Sequence, residues 1–227
     1  MSTRVRDLLM QAFDERRHEP IEKRIRAELG GRTVIDTRRA LLVWPPRRPV
    51  PAYAVPLDEL GDGVPPDAVH ADDDDLAGYA ILDFGAFDAW YEEDEPNVGH
   101  PRDPFHRIDI LHSSRHVRVE LDGDVLAEST RPCLLFETML PIRFYLPAQD
   151  VRLDRLTRTD TRSTCAYKGH ASYWAHPAHG DIAWFYPEPL REAAEIRDRI
   201  AFFNEHVDLI VDGERLERPV TPWSKRR

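Results

Sequence analysis

The sequence predicts a mainly-β protein of two related compact domains, each with at most one short helix. Short runs of alternating apolar and polar residues recur along the chain, Asp-Gly pairs follow two of them, and one stretch of the sequence is repeated. Alternation with a period of two is the pattern of a half-buried strand, and Asp-Gly is a strong hairpin signal. A repeat of this length is most simply explained by duplication of a domain.

Length and composition are those of a globular protein. The 227 residues, 41% hydrophobic and 32% charged, are enough for one large or two small domains. The net charge of -10 argues against general binding to nucleic acid, which needs a basic surface. No apolar run approaches the ~18 residues of a membrane span, and the N-terminal residues lack the apolar core of a signal peptide. We therefore expect a cytoplasmic protein without nucleic-acid or membrane partners.

Two short helices are predicted from apolar residues at helical spacing. The first lies in a lead of residues 1–23, where the spacing extends over Ser2–Arg17. The second spans Pro189–Phe203, and Pro189 suits the first turn of a helix.

The repeat divides the rest of the chain. We assign residues 24–99 to a degenerate first copy, 100–115 to a Pro-rich ordered linker and 116–223 to a complete second copy. In the first copy an acidic loop, Asp72–Asp75, occupies the position at which the second copy has its basic run and the segment Thr164–Trp174. The matched segments are Arg26–Trp44 with Arg118–Phe136, Tyr53 with Tyr145, Pro56 with Pro147, and Phe87–Tyr91 with Val207–Val211.

The second copy reads as a series of strands and tight turns. Asp122-Gly123 predicts a hairpin between Val117–Leu121 and Asp124–Glu128. The other predicted strands are Cys133–Glu137, Ile142–Leu146, Asp181–Tyr186 and His206–Val211.

The densest chemistry lies in Thr164–Trp174, T-C-A-Y-K-G-H-A-S-Y-W. The alternation predicts two short strands joined at Gly169, where a side chain would obstruct a tight bend. Lys168 beside this bend suits the floor of a pocket, or else it simply caps an exposed sheet edge. The basic run that begins at Arg152 either focuses a small anion or forms a solvated strand face.

Four residues are candidates for catalysis. Cys165 is a nucleophile or a small buried hydrophobe, and Lys168 anchors an anion or forms a Schiff base. Glu137 is a general acid/base with a pKa raised by burial, or merely the ion-pair partner of Arg143. Tyr173 is the other candidate proton donor.

The remaining candidates would bind the ligand. The aromatic residues either line a pocket or fill the core of a small β domain. The linker residues either reach the rim of the pocket or pin the linker to the sheets. These candidates are Arg143, Tyr145, Tyr167, Gly169, Trp174, Trp184, Arg131, His106 and Arg102.

Cofactors, metals and a disulfide are not expected. There is no Gly-rich phosphate loop and no Rossmann fingerprint. Cys165 lies near His170, His176 and His179, but no C-x-x-C accompanies them, and we expect no metal. Cys133 and Cys165 could form one bridge, but without a secretory signal two reduced thiols are favoured.

The second copy resembles a known family. The runs T-C-A-Y-K-G-H-A-S-Y-W, D-I-A-W-F-Y-P-E-P-L and F-F-N-E-H-V-D-L-I-V-D-G are similar to the bacterial and fungal family called domain of unknown function 427. The linker H-P-R-D-P-F-H-R resembles that of its tandem members, and the resemblance covers roughly residues 24 to 223. It implies coiled antiparallel sheets but no reaction. A label of the family refers to nucleotidyl transfer, yet the sequence has no paired-carboxylate metal motif.

Three functions remain open from the sequence. The protein is an enzyme acting on an anionic or carbonyl-bearing metabolite, a metabolite-binding module without chemistry, or a scaffold that uses the first copy as an interface. Its expected partner is a small molecule, and a homo-oligomer is compatible with the sequence.

Overall fold

The computed structural model describes residues 2–5, 7, 12–71 and 76–224. The chain forms two compact units, Met1–Phe105 and His106–Arg227, called the first and second unit below. Both are built from antiparallel strands and short 3₁₀ helices, so the prediction of a mainly-β fold is confirmed. Within the described ranges, no helix has the length and apolar character needed to cross a bilayer.

The first unit packs two sheets around one core. A five-stranded sheet has the order β1-β4-β5-β7-β6 and a four-stranded sheet the order β3-β2-β8-β9, and both supply core residues. The 3₁₀ helices are Ala12–Asp14, Leu57–Glu59, Pro66–Ala68 and Phe84–Ala86. The strands are β1 Arg17–Pro20, β2 Ile25–Leu29, β3 Arg32–Thr37, β4 Leu41–Trp44, β5 Ala52–Pro56, β6 Val69–Ala71, β7 Tyr79–Leu82, β8 Ala89–Glu92 and β9 Glu95–Asn97.

The second unit has the same plan with a larger sheet. A seven-stranded sheet, β10-β13-β14-β18-β17-β16-β15, packs against a four-stranded sheet, β12-β11-β19-β20. The 3₁₀ helices are Ala148–Asp150, Leu153–Arg155, Arg191–Ile196 and Pro222–Ser224. The strands are β10 Ile108–His112, β11 Val117–Leu121, β12 Asp124–Ser129, β13 Cys133–Glu137, β14 Arg143–Pro147, β15 Thr157–Cys165, β16 Gly169–His176, β17 Gly180–Phe185, β18 Arg199–Phe202, β19 Asp208–Val211 and β20 Glu214–Arg215.

The strand registers of the two units correspond closely. The hairpin β2–β3 has its bulge at Ala27/Glu28, and β11–β12 has one at Val119/Glu120. The same registers correct two of the predicted matches by one residue. Leu41 pairs with Ala54 where Cys133 pairs with Tyr145, so Tyr145 corresponds to Ala54 and not to Tyr53.

The second mismatch lies in β8. Ile25 pairs with Glu92 where Val117 pairs with Val211, so Val211 corresponds to Glu92 and not to Tyr91. Both errors arise because a one-residue slip preserves the apolar class of several neighbours while it turns each side chain to the other face of the sheet.

The hairpins of the second unit form where the sequence predicts them. Asp122 and Gly123 take left-handed φ angles of 53° and 88°, which a two-residue turn with the twist of its strands requires. The predicted strands Cys133–Glu137 and Ile142–Leu146 form as β13 and β14 and pair with each other. Met139, in the turn between them, also has a positive φ.

Among the described residues of the first unit, the hairpin β15–β16 has no counterpart. Its loop is Ala166–Lys168, and Gly169 follows with φ +95°. A Cβ at Gly169 would lie 3.3 Å from the carbonyl oxygen of Glu188, so the loop packs closely under that segment. The predicted pair of strands joined at Gly169 is therefore confirmed.

The predicted helix over Pro189–Phe203 is wrong. Helical backbone is confined to the 3₁₀ helix Arg191–Ile196, which is kinked at Ala193. Asp198 has a positive φ, and the chain then enters β18, where Ile200 and Ala201 pair with β14. Apolar residues at helical spacing were misleading because this strand is buried on both faces, so it lacks the alternation of a half-buried strand.

Parts of the remaining predictions fall outside the described residues. Residues 6 and 8–11 of the predicted N-terminal helix lie there, whereas residues 5 and 7 are helical, Ala12–Asp14 is a 3₁₀ helix and Arg17 begins β1. The acidic loop Asp72–Asp75 lies there entirely. In the segment predicted as a linker, Ile108–His112 is strand β10 at one edge of the seven-stranded sheet.

Candidate functional site

The two faces of the seven-stranded sheet differ. One packs on the four-stranded sheet through Phe144, Leu146, Ile200 and their neighbours. The opposite face, called the site face below, is covered in part by the 3₁₀ helix Arg191–Ile196. Its buried residues are Cys133, Leu135, Tyr145, Ala171, Trp184, Tyr186, Ala193, Ile196 and Ala201, and Cys165, Tyr173 and Phe203 pack against them.

A buried carboxylate stands at the centre of a charged cluster beside this face. Lys168 Nζ donates to Glu137 Oε2 at 2.6 Å, and His106 Nε2 lies 3.1 Å from Glu137 Oε1. The Glu137 and Lys168 side chains are only 7% and 9% exposed. His106 also stacks on Tyr167, with ring centroids 4.4 Å apart. This hydrogen-bonded triplet, Glu137–Lys168–His106, is called the acidic cluster below.

The acidic cluster exists because the sheet curls. Lys168 belongs to the loop between β15 and β16 near one edge, whereas Glu137 ends β13 near the other. Three strands lie between β13 and β16 in the sheet order. The contact requires strong coiling of the sheet, as the family resemblance implies, and it places the cluster on the inner side of the curl.

Glu137 is ionised rather than protonated. Burial alone would raise the pKa of its carboxyl, but the hydrogen bond from His106 and the charge of Lys168 outweigh burial and hold the pKa below its usual value. The expectation that burial would raise the pKa of this general acid/base candidate is therefore wrong. At neutral pH this carboxylate accepts hydrogen bonds or protons.

Arg143 is not the partner of Glu137. Its guanidinium donates two hydrogen bonds to Glu205, at 2.8 and 2.7 Å, and the Glu205 side chain is 0% exposed. Leu135, not Glu137, lies opposite Arg143 in the strand register. The guanidinium also lies 5.4 Å from the ring of Trp184. Arg143 therefore faces the site with its charge already neutralised.

The aromatic residues of the site face are linked by ring contacts and hydrogen bonds. Trp184 Nε1 donates to Tyr145 Oη at 3.0 Å, and Trp184 packs against Phe203 at 4.6 Å. Phe203 in turn stacks with Tyr173, which shares a 2.6 Å hydrogen bond with Ser163. These contacts form a continuous aromatic wall that is buried at Tyr145 and half-buried at Tyr173.

The two cysteines differ in environment, and both are free. Cys165 is half-buried at the end of β15. Cys133 is 0% exposed, and its sulfur lies 3.3 Å from His112 Nδ1. Burial raises the pKa of the Cys133 thiol. Of the two, only Cys165 has the exposure that a nucleophile needs.

A family comparison covers most of this unit. Residues 109–213 match the model of a family described as domain of unknown function (DUF427). We call these residues the DUF427 region below, after the family model that they match. The match confirms the resemblance predicted for this part of the chain, and the model's name refers to nucleotidyl transfer. A comparison with curated proteins found no match.

Two candidate residues lie away from the site face, and a third belongs to the other unit. Trp174, within the DUF427 region, packs on the opposite face with Phe185. Arg131 is mostly exposed and pairs with Asp150 before β13 begins, whereas Glu137 ends that strand. Arg102 belongs to the first unit. Trp174 and Arg131 therefore do not lie with the other candidates on the site face, and their part in ligand binding stays a prediction.

Of the histidines considered as zinc ligands, His176 and His179 lie close together, with ring centroids 5.2 Å apart, but His170 does not join them. His170 bonds to Thr164 at the start of β16, and His176 ends that strand about 20 Å farther along. His179 pairs with Asp122. Among the described residues, no group of three His, Cys, Asp or Glu side chains is arranged to hold a metal ion.

Sequence reasoning missed Glu205 and considered Tyr186 only as one of several aromatic residues that could line a pocket. Glu205 neutralises Arg143 from a loop 62 positions away, and only the unusual pairing of an acid with flanking aromatics in F-F-N-E-H hinted at it. Tyr186 lies on the site face next to Tyr145. Its place at the end of an aromatic strand was the available signal.

Proposed function

We propose that the second unit binds a small carbonyl-bearing molecule on the site face and accepts a proton from it through Glu137. The observation that supports this most strongly is the acidic cluster, a buried carboxylate with Lys168 at 2.6 Å and His106 at 3.1 Å. Burying such charges is costly, and replacing a buried pair with apolar side chains is often neutral or stabilising. Clusters with perturbed pKa values concentrate at functional sites.

The charges favour a carbonyl over an anion. Lys168 and Arg143 were the predicted anion anchors, but Glu137 and Glu205 neutralise them at hydrogen-bond distance. A ligand carboxylate or phosphate would have to displace a buried acid. A neutral carbonyl group needs only hydrogen-bond donors, which the tyrosines of the site face provide.

The ionised state of Glu137 favours a role as a proton acceptor over a role as a proton donor. Its lowered pKa keeps it ionised, and Lys168 and His106 occupy only part of its four lone-pair directions. The His106 side chain is 21% exposed, so it links the buried carboxylate to solvent and offers a route by which the proton can leave. Cys165 and Tyr173 are half-buried on the same face. Within this proposal Cys165 is the candidate nucleophile and Tyr173 the candidate proton donor.

The test couples binding to proton exchange. Small aldehydes and ketones are screened by thermal shift, and each hit is incubated with the protein in D₂O while its α-protons are followed by NMR. Wild-type protein is expected to exchange these protons, and Glu137→Gln to bind the hit without exchange. Lys23→Met is a matched control, because Lys23 and Glu92 form a 2.6 Å pair in the first unit whose lysine is 49% exposed.

The same experiment separates the other readings. Binding that depends on Lys168 but never leads to exchange would make the unit a binding module. Tolerance of every substitution on the site face, with loss of association when the first unit is removed, would make it a scaffold.

We further propose that the two units arose by duplication and that only the second carries this carbonyl-binding site. The shared strand plan and the equivalent bulges support the duplication. No strand pair in the described part of the first unit corresponds to the hairpin β15–β16, whose loop supplies Lys168. A cytoplasmic location remains the proposal from composition.

A further inference from the structure

A buried amide oxygen in the first unit has no hydrogen-bond partner. Asn97, at the end of β9, is 5% exposed, and among the described residues none donates to its Oδ1. Its amide nitrogen lies 2.9 Å from Tyr53 Oη and 3.4 Å from Glu92 Oε1. Because a carboxylate can only accept, the nitrogen must face these atoms, and the oxygen is the atom left without a partner. Buried polar atoms of this kind are rare, and each calls for an explanation.

This amide belongs to a polar cluster that leads from the core to the surface. Tyr53, 1% exposed, donates to Glu92 Oε1 at 2.7 Å. Lys23 Nζ donates to the other carboxylate oxygen, Glu92 Oε2, at 2.6 Å. The Glu92 side chain is 11% exposed and that of Lys23 is 49% exposed, so the carboxylate can be reached from solvent beside the lysine. The residues Tyr53, Glu92 and Asn97 are called the polar trio below.

The second unit has apolar residues at the three corresponding positions. The strand registers identify these positions in the same way as they match Ala54 with Tyr145. The pairs are Tyr53 with Phe144, Glu92 with Val211, and Asn97 with Leu216. All three apolar residues pack into the core of the second unit. The shared sheets therefore form without a polar trio, and the needs of the fold do not explain why the first unit buries one.

We propose that the polar trio binds the ammonium group of a small primary amine. The unpartnered atom, Asn97 Oδ1, is an acceptor, so its ligand must supply a donor. The neighbouring Glu92 carboxylate favours a cation, and an ammonium group has three N–H donors, enough for both acceptors. Lys23 already places an ammonium on Glu92 Oε2, and the ligand amine takes its place there. This site is independent of Glu137 and its proposed role.

Two related ligand groups fit the polar trio less well. A hydroxyl group has a single donor and no charge, so it cannot bond both Glu92 and Asn97 as a donor. A quaternary ammonium has the charge but no N–H. The proposal therefore requires a preference for a primary amine over an alcohol and over a trimethylated amine of the same carbon skeleton.

The first test measures this preference in the full-length protein. Protein labelled with ¹⁵N is titrated with propylamine, with 1-propanol and with propyltrimethylammonium, and amide signals are followed by NMR. Propylamine is expected to shift the signals of Glu92 and Asn97, and the other two compounds to bind at least about tenfold more weakly. If an ordered water alone satisfies Asn97 Oδ1, propylamine leaves these signals unchanged. That result, or equal binding of all three compounds, overturns the inference.

The second test uses variants of the ion pair. Glu92→Gln keeps the shape of the side chain but removes its charge, and it is expected to weaken propylamine binding at least about tenfold. Lys23→Met removes the competing ammonium and is expected to tighten binding about two- to fivefold, the effect of a largely exposed pair. Arg39→Met, which breaks exposed pairs with Asp58 and Glu59, is the matched control and should leave affinity unchanged. Unchanged or weaker binding by Lys23→Met would contradict displacement of the lysine.

The third test introduces the residues of the second unit. The triple variant Tyr53→Phe, Glu92→Val, Asn97→Leu is expected to lose propylamine binding. Without ligand its Tm should equal or exceed that of wild type, because apolar side chains replace buried polar ones. A Tm lower by more than about 4 °C would show that the polar trio serves the fold. Such a fall, or binding of propylamine by the triple variant, would contradict the proposal.

Discussion

Substitution of Lys168 by Met tests whether the acidic cluster is a true buried ion pair. The change leaves Glu137 buried with only the contact to His106. Breaking a buried pair by removing one partner costs about 3–5 kcal/mol of unfolding free energy. We expect the lower end, about 3 kcal/mol, since His106 still contacts one carboxylate oxygen. Lys23→Met, which breaks an exposed pair of equal length, should cost about 0–1 kcal/mol.

The pH dependence should change sign in the same variant. In wild type the folded-state pKa of Glu137 is lowered, so its contribution is present above the ordinary glutamate pKa of about 4.3 and is lost as pH falls through the folded value. Without Lys168, burial dominates and raises the pKa. The variant should therefore gain stability as pH falls from 7 towards 5, whereas Glu137 gives wild type no such gain.

Urea unfolding read by hydrogen exchange separates the two units. Peptides from β13 and β14 report the second unit, and peptides from β4 and β5 report the first. The double variant Glu137→Gln, Lys168→Met removes both charges, so it should recover part of the loss and show no pH reversal. A loss below about 1 kcal/mol together with an unchanged pH slope would refute the reasoning.

Three further measurements, one by thiol labelling and two on variants, test other parts of the structure. Iodoacetamide should label Cys165 at least about tenfold faster than Cys133, as read by mass spectrometry, because Cys133 is buried and its pKa is raised. Arg143→Met should cost about 3–5 kcal/mol in urea unfolding, since it leaves the Glu205 carboxylate buried without a cation. Gly169→Ala should cost about 1–3 kcal/mol, because φ is +95° and the new Cβ would press on a backbone carbonyl.

Each of these changes has a matched control. Arg152→Met breaks an exposed pair with Asp154 and should leave stability within about 0.5 kcal/mol of wild type. Gly123→Ala has a φ of +88° with nothing near its Cβ, so it measures the backbone cost alone. Equal labelling of both thiols, or equal costs within a matched pair, would contradict the stated causes.

Local patterns were enough to predict the hairpins of the second unit. The turn at Asp122-Gly123, the pair β13–β14 and the bend at Gly169 depend on residues close in sequence, and all three were found. Tyr145 and Trp184, two of the candidate ligand-binding residues, lie in one cluster on the site face. Period-two reasoning succeeds wherever one face of a strand is distinguished from the other.

The ion pairs between residues distant in sequence could not be predicted from the alternation pattern. Glu137 and Arg143 are near in sequence, and pairing them was the natural inference. The register instead places Leu135 opposite Arg143, while coiling brings Lys168 to Glu137 and a distant loop brings Glu205 to Arg143. Coiling of a seven-stranded sheet depends on the whole set of strands, which no short window of sequence contains.

The central claim is that the site face binds a small carbonyl compound beside the acidic cluster. The most direct measurement is a crystallographic soak of the protein with a panel of small aldehydes and ketones. The account predicts density for the carbonyl compound on the site face, with the carbon next to the carbonyl facing Glu137. Compounds bound only elsewhere, or a site face that stays empty at saturating concentration, would contradict it.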